Sequence, residues 1–168
     1  LLYSTAGHYR SSPRLFHPSG SDGIDVLKKA LGLMLGRQYA VQIASEHHLA
    51  GAMSRWPLIV VPGWGYLEPA FRDELAAYAN SGGRLLLIGS GPAKFPDIAV
   101  GAGGGDKKAP IVSVAEDGDS LLGALKNMFP DPLVRVSGST DVDVSPRRLG
   151  GKLMIPLVNT AGPHADAP

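Results

Sequence analysis

The chain predicts an α/β fold: a parallel sheet with helices on both faces. Three observations carry this. Residues 57–61 (Pro-Leu-Ile-Val-Val) and 85–88 (Leu-Leu-Leu-Ile) are short, unbroken apolar runs, the pattern of strands covered on both faces rather than one. Between them Phe71, Leu75 and Tyr78 fall on one helical stripe that Ala79 extends, with Arg72, Asp73 and Glu74 largely off it. Pro69 suits a first helical turn, where its missing N–H costs nothing, and Gly82-Gly83 ends the helix because glycine reaches the left-handed conformation cheaply. Strand, helix and strand in that order form a βαβ unit with a right-handed crossover.

The remaining elements follow in order. Residues 1–5 read as a first strand, and a polar loop carrying Gly7, His8, Tyr9, Arg10, Arg14 and His17 runs to about Ser21. Ser21 or Asp22 is placed to cap a helix whose apolar positions are Ile24, Leu27, Leu31 and Met34/Leu35, with Gly36 as its stop. Residues 39–43 alternate weakly and read as a second strand, and Ser45 caps a short helix with Glu46, His47, His48, Leu49 and Met53. Residues 91–109 form a long irregular loop with four glycines between 101 and 105. A further strand over 110–114 precedes a helix begun by Asp119 or Ser120, with Leu121, Leu122, Leu125 and Met128/Phe129 on its apolar side and Pro130 and Pro132 beyond its end. From Leu133 the period becomes two: Val134, Val136, Val142 and Val144, then residues 152–159 after a turn at Gly150-Gly151. Successive strands without helices imply antiparallel pairing. Residues 1–138 thus read as the α/β domain. Residues 139–168 read either as strands leading into a C-terminal β-domain or as an antiparallel edge of the same sheet.

The 168 residues are 44% hydrophobic and 18% charged, with a formal net charge of +1. That balance supplies no general attraction to nucleic acid or an acidic membrane, and no apolar run nears the roughly 20 residues that span a bilayer. There are no cysteines, which removes disulfides, thiolate metal sites and a Cys nucleophile together. The chain opens on strand-like residues and stops just after another strand, so it reads as a piece of a longer protein.

In parallel α/β sheets ligands bind beyond the carboxyl ends of the strands. The residues marking that rim are Ser4, Thr5 and Gly7, then Gly63, Trp64, Gly65 and Tyr66, then Gly89, Ser90 and Gly91. Trp64 and Tyr66 have the rings to stack on a sugar or a flavin, or else to cover the sheet end. Ser4-Thr5-Ala6-Gly7 faintly echoes a phosphate-cradling loop, against which stands a plain turn. Ser90 occupies the nucleophile position of a strand–elbow–helix, but the flanking glycines such an elbow requires are replaced by Ile88 and Pro92. Glu68 and Asp97 lie near strand ends, with nothing to set them at the spacing of a glycosidase pair. Glu46, His47 and His48 lack the four-residue His spacing of a metalloprotease helix, and adjacent helical residues diverge by about 100°. No metal and no cofactor is therefore expected.

The motifs VVPGWGYL and NSGGRLLLIGSG resemble the class I glutamine-amidotransferase-like fold. They resemble more closely the degenerate forms found as middle domains of bacterial glycoside hydrolases, of which the β-galactosidase trimerisation domain is the best-known relative. The tail VDVSPRRLGGKLMIPLVNTAGPH resembles the passage into the C-terminal β-domain of such hydrolases, with Pro156 where a His is common. The resemblance implies a three-layer, flavodoxin-like parallel sheet. It also implies a nucleophile at or near Ser90 backed by a His-x-Glu, and no His-x-Glu occurs. The expectation is a non-catalytic packing or oligomerisation domain of a multidomain glycoside hydrolase. Its partners would be other domains of the same polypeptide, a second copy or carbohydrate, with no nucleic acid and no membrane. The alternatives are an amidotransferase-like hydrolase working through Ser90 and a small-ligand binding module using the rim.

Overall fold

A computed structural model describes residues 1–11, 23–89, 111–139, 141–160 and 162. Two short parallel sheets and helices make up the first part of the chain. Strand β1 (Leu2–Tyr3) pairs with β2 (Ala44–Ser45), and β3 (Ile59–Val61), β4 (Leu85–Ile88) and β5 (Ile111–Val114) pair in that order with β4 central. The helices are α1 (Thr5–Ser11), α2 (Ile24–Gly36), α3 (Glu46–Leu49), α4 (Pro69–Asn80) and α5 (Gly118–Met128), with one 3₁₀ turn at Met53–Arg55. The described residues contain no barrel.

The core follows from side-chain alternation. Ile59 and Val61 of β3, Leu85 and Leu87 of β4 and Ile111 of β5 pack with Phe71, Leu75 and Ala79 of α4. Val60, Leu86 and Ile88 turn the other way, onto Ala30 and Met34 of α2 and Leu121, Ala124, Leu125 and Met128 of α5. Successive strand residues point to opposite faces, so a strand apolar at every position needs helices on both.

The βαβ unit matches the expectation closely. Pro69 opens α4, and Gly82, at φ 93°, turns the chain after it. Tyr78 lies on the apolar stripe, packed against the core, and adds hydrogen bonds of its own. It is half-buried, its hydroxyl donates to the Trp56 carbonyl (3.2 Å), and the Arg84 amide donates to that hydroxyl (3.2 Å). Arg84 in turn donates to the Met128 carbonyl at the end of α5 (2.7 Å).

Elsewhere the expected boundaries move, each for a local reason. The first strand ends at Tyr3, and α1 begins at Thr5 where a loop was expected, because Ser4 caps it: its Oγ accepts from the Gly7 amide (2.8 Å). Residues 39–43 are not a strand. Gln38 adopts φ 63°, its amide donates to the Leu35 carbonyl and the Tyr39 amide to that of Met34. Those two bonds are a Schellman closure of α2, so the chain turns there; the Gln42 carbonyl accepts from the Leu1 amine (2.8 Å) and strand pairing begins at Ala44. Helix α2 is entered through Gly23 at φ 89°; Ser21 and Asp22 lie outside the described residues. The residue that caps α5 is Asp117, not Asp119 or Ser120, its carboxylate accepting from the Ser120 amide (2.8 Å). Residues 133–136 form no strand; the Val136 amide is taken by the Gln38 side chain (3.2 Å), which also donates to the Ser139 carbonyl (2.8 Å).

Beyond Ser139 the pairing is antiparallel, and it forms sheets separate from the parallel ones. Strand β6 (Val142–Val144) pairs with β9 (Leu157–Asn159), and β7 (Arg147–Leu149) with β8 (Lys152–Met154). Gly150 (φ 55°) and Gly151 (φ 78°) close the inner pair, the two positive angles of a type I′ turn. Both pairings share one register, so this is a single hairpin interrupted where Ser145 faces Pro156 and Pro146 faces Ile155.

Two expectations are checkable here. Leu86→Ala opens a void under α2 and α5, and chemical denaturation should show a loss of about 2–5 kcal/mol. The Ser120 amide holds the Asp117 carboxyl below its usual range. Its contribution is therefore present above the unfolded carboxyl's pKa and is lost as pH falls through the folded one. Asp117→Ala should lower Tm at neutral pH, and the gap from the parent chain should close in scans near about pH 2.

Candidate functional site

The rim above the parallel strands is organised by Trp64. The indole is buried, 1% exposed, and Nε1 donates to the Leu2 carbonyl (3.0 Å). Tyr3 meets it edge-on, with ring centroids 5.7 Å apart at 87°. Glycines give the ring its room. A Cβ on Gly23 would lie 2.7 Å from Trp64 Cε3; one on Gly7 would lie 3.1 Å from the same atom and 2.6 Å from the Tyr66 carbonyl oxygen. Cβ contacts under 3.0 Å essentially do not occur, so glycine at 23 follows from the indole's bulk and glycine at 7 chiefly from the Tyr66 carbonyl.

Beside it lies a buried polar cluster. Ser4, Glu46 and His8 are the buried polar side chains among the described residues. Ser4 Oγ donates to Glu46 Oε1, and the Thr5 amide donates to Glu46 Oε2 (2.9 Å). Glu46 starts α3, yet its carboxylate reaches across to the first turn of α1. That is where a helix favours negative charge, near the unpaired amides and the positive end of the dipole. The Thr5 amide is thus taken by the protein's own carboxylate, and the Gly7 amide by Ser4. Ser4 has no solvent-exposed surface, and its hydroxyl is committed to Glu46 while accepting from Gly7. His8 packs at 5.7 Å from the Tyr3 ring and from the Tyr9 ring.

The other rim positions are spread out. Tyr66 is half-buried, and the Arg10 guanidinium sits 4.1 Å from its ring centroid, covering one stacking face with a cation–π contact. Gly63 is buried and Gly65 exposed. The Gly89 amide donates to the Val114 carbonyl (3.0 Å), its φ is +71°, and a Cβ there would strike the Glu116 carboxylate. Ser90 and Gly91 lie outside the described residues, as do Pro92, Asp97 and His164. Glu68 is exposed at the start of α4.

The Glu46-His47-His48 trio diverges. Glu46 turns inward; His47 and His48 are exposed, and Ser45 Oγ lies 2.9 Å from His48 Nδ1. Among the described residues no three His, Cys, Asp or Glu side chains are placed to hold a metal ion.

Sequence reasoning named Ser4, Thr5, Gly7, Trp64 and Tyr66, and the structure brings these together. It missed Glu46 as their anchor. The residue had been weighed only with its histidine neighbours, whereas its contact is across roughly forty positions of sequence. Compared with family models, with curated proteins and with solved structures, the chain matches none.

Ser4→Ala should lower stability by about 1–2 kcal/mol through the lost cap, with Glu46 left short of a donor as well. Inorganic phosphate at millimolar concentration should leave the Thr5, Ala6 and Gly7 amide resonances unmoved; a saturable shift there would reopen the rim as an anion site.

Proposed function

We propose that this chain is a non-catalytic docking module, a degenerate flavodoxin-like domain of a multidomain carbohydrate-active enzyme that packs against other domains or a second subunit. If the two parallel sheets are read as one, β1 lying beside β3, the strand order becomes 2-1-3-4-5, a doubly wound order. The helices on the two faces would then make three layers. That arrangement and the amidotransferase-like motifs support the family reading.

The observation that carries the docking role is the C-terminal hairpin. Leu149, Leu153, Met154, Ile155, Leu157 and Val158 are all exposed large apolar side chains within ten residues. Single exposed apolar residues are ordinary; a contiguous set marks an interaction surface. Arg147, Arg148 and Lys152 lie among them, also exposed, which keeps the surface soluble when uncovered. Apolar side chains project from both faces of the ribbon, so a partner that covers both, another protein surface, fits better than a flat bilayer.

The rim supports the same role from the other side. A ligand cradle needs free donors, and here the Thr5 amide is taken by Glu46 and the Gly7 amide by Ser4, the indole is a plug and the serine is enclosed.

Aryl glycosides should show no turnover with this chain, and robust hydrolysis would overturn the reading. In dilute solution Leu153→Ser with Leu157→Ser should leave Tm within about 4 °C, since each exposed position contributes within about 0.5 kcal/mol, while binding of an apolar fluorescent dye falls several-fold. A large drop in Tm would place these residues in the core and remove the docking surface.

A further inference from the structure

The hairpin's hydrogen-bond parity decides which backbone groups remain free. The Ser145 amide donates to the Pro156 carbonyl (3.3 Å), and the Thr160 amide to that of Asp141 (2.7 Å). Facing residues in an antiparallel pair alternate between bonded and non-bonded. In the shared register 141/160, 143/158, 145/156, 147/154 and 149/152 are then bonded pairs, and the alternate positions turn their N–H and C=O away from the partner strand.

The two outer edges differ. On the first strand, outward positions 142, 144, 146 and 148 include Pro146, which has no N–H, and Val144, which is 3% exposed. That edge is blocked in the way edges are commonly protected. On the second strand, outward positions 153, 155 and 157 are Leu, Ile and Leu, exposed at 42%, 42% and 59%. Pro156 falls in the inward class, so it costs a rung inside the hairpin and leaves the outer row complete.

We propose that this open edge pairs with the same edge of a second copy of the chain, antiparallel about a two-fold axis at Ile155. The proposal rests on the docking role above and names the occupant. The outward residues read Leu-Ile-Leu in either direction from Ile155, so an isologous pairing sets Ile155 against Ile155 and Leu153 against the second copy's Leu157. The side chains of 153, 155 and 157 share a face with Val142 and Val144. Two hairpins joined this way form a four-stranded sheet that is apolar along the join, with Arg148, opposite Leu153, and Asn159, opposite Val142, at the margins of that face. No charged residue lies between Leu153 and Asn159. The nearest, Lys152, faces the second copy's Val158. The two lysines then stand six residues apart along the join, about 20 Å, well beyond a screening length of about 8 Å.

Sedimentation equilibrium of the full chain tests this. The parent chain should dimerise with concentration, and Ile155→Lys and Ile155→Glu should each weaken dimerisation at least tenfold. An equimolar mixture of the two should restore it, because the two-fold sets those side chains side by side; that recovery excludes misfolding as the cause. Ile155→Pro should also abolish dimers while the hairpin persists, since it deletes only an outward N–H. A parent chain that stays monomeric at millimolar concentration, variants that dimerise like the parent, or a mixture that fails to recover would each overturn self-pairing. If the monomeric chain still binds the apolar dye through Leu153 and Leu157, self-pairing alone falls; if dye binding is absent too, the docking role falls with it.

Discussion

Strand β4 must be covered on both sides, and the rest of the α/β unit follows from that. Leu85, Leu86, Leu87 and Ile88 leave no polar face to solvent. Each needs an apolar neighbour, and alternation sends them to opposite sides. One side is met by α4, the other by α2 and α5. The strands flanking β4 obey the same rule, since Val60 and Val61 part ways as Leu86 and Leu87 do.

The same constraint shapes the rim. A strand buried on both faces still has an end, and its last carbonyls and amides must be satisfied. Here Trp64 folds back over the sheet and takes up the Leu2 carbonyl, while Glu46 satisfies Thr5 and Ser4. Both solutions use bulky or charged side chains where an open binding loop would leave backbone groups for a ligand. Of the accompanying glycines, Gly23 makes room for the indole and Gly7 for the Tyr66 carbonyl beside it. A Gly-rich rim in a sequence can therefore record close packing as readily as a binding site.

The βαβ unit was legible because its signals are local: unbroken apolar runs, Pro69 at the first helical turn and the Gly82-Gly83 stop. What escaped depends on distant partners. Tyr39, Val41 and Ile43 look like a strand until Gln38 closes α2 by a left-handed turn and takes the Tyr39 amide into the helix end. Val134 and Val136 alternate like a strand, yet the Val136 amide is held by Gln38 from roughly a hundred positions upstream. The loop after the first strand became helix because Ser4 sits three residues before Gly7 and caps it. That signal is present in the sequence, since a Ser three residues before a Gly amide can cap a helix as well as open a loop. Glu46 had no local mark at all. Its role exists only once β1 and β2 lie side by side and bring residues 4 and 46 together.

The hairpin shows how two prolines can direct an apolar segment outward without ending it. Were residues 142–159 one unbroken ladder, either edge would be open to pairing and the register free to extend. Pro146 closes the edge nearer the body, where Val144 already packs against the domain. Pro156 instead removes an inner bond, loosening the ribbon at its middle while its outer row of amides stays intact. The closure at Gly150-Gly151 fixes the parity of the whole hairpin, because a two-residue type I′ turn makes Leu149 and Lys152 a bonded pair. Every outward position beyond it is then determined. The apolar sequence Leu-Ile-Leu falls on that outward parity; a one-residue slip would put Met154, Pro156 and Val158 on the outward backbone row in its place, and Pro156 has no N–H to offer there. Turn geometry, proline placement and side-chain pattern thus agree in leaving one edge of one strand, and not the other, with an unbroken apolar outward row.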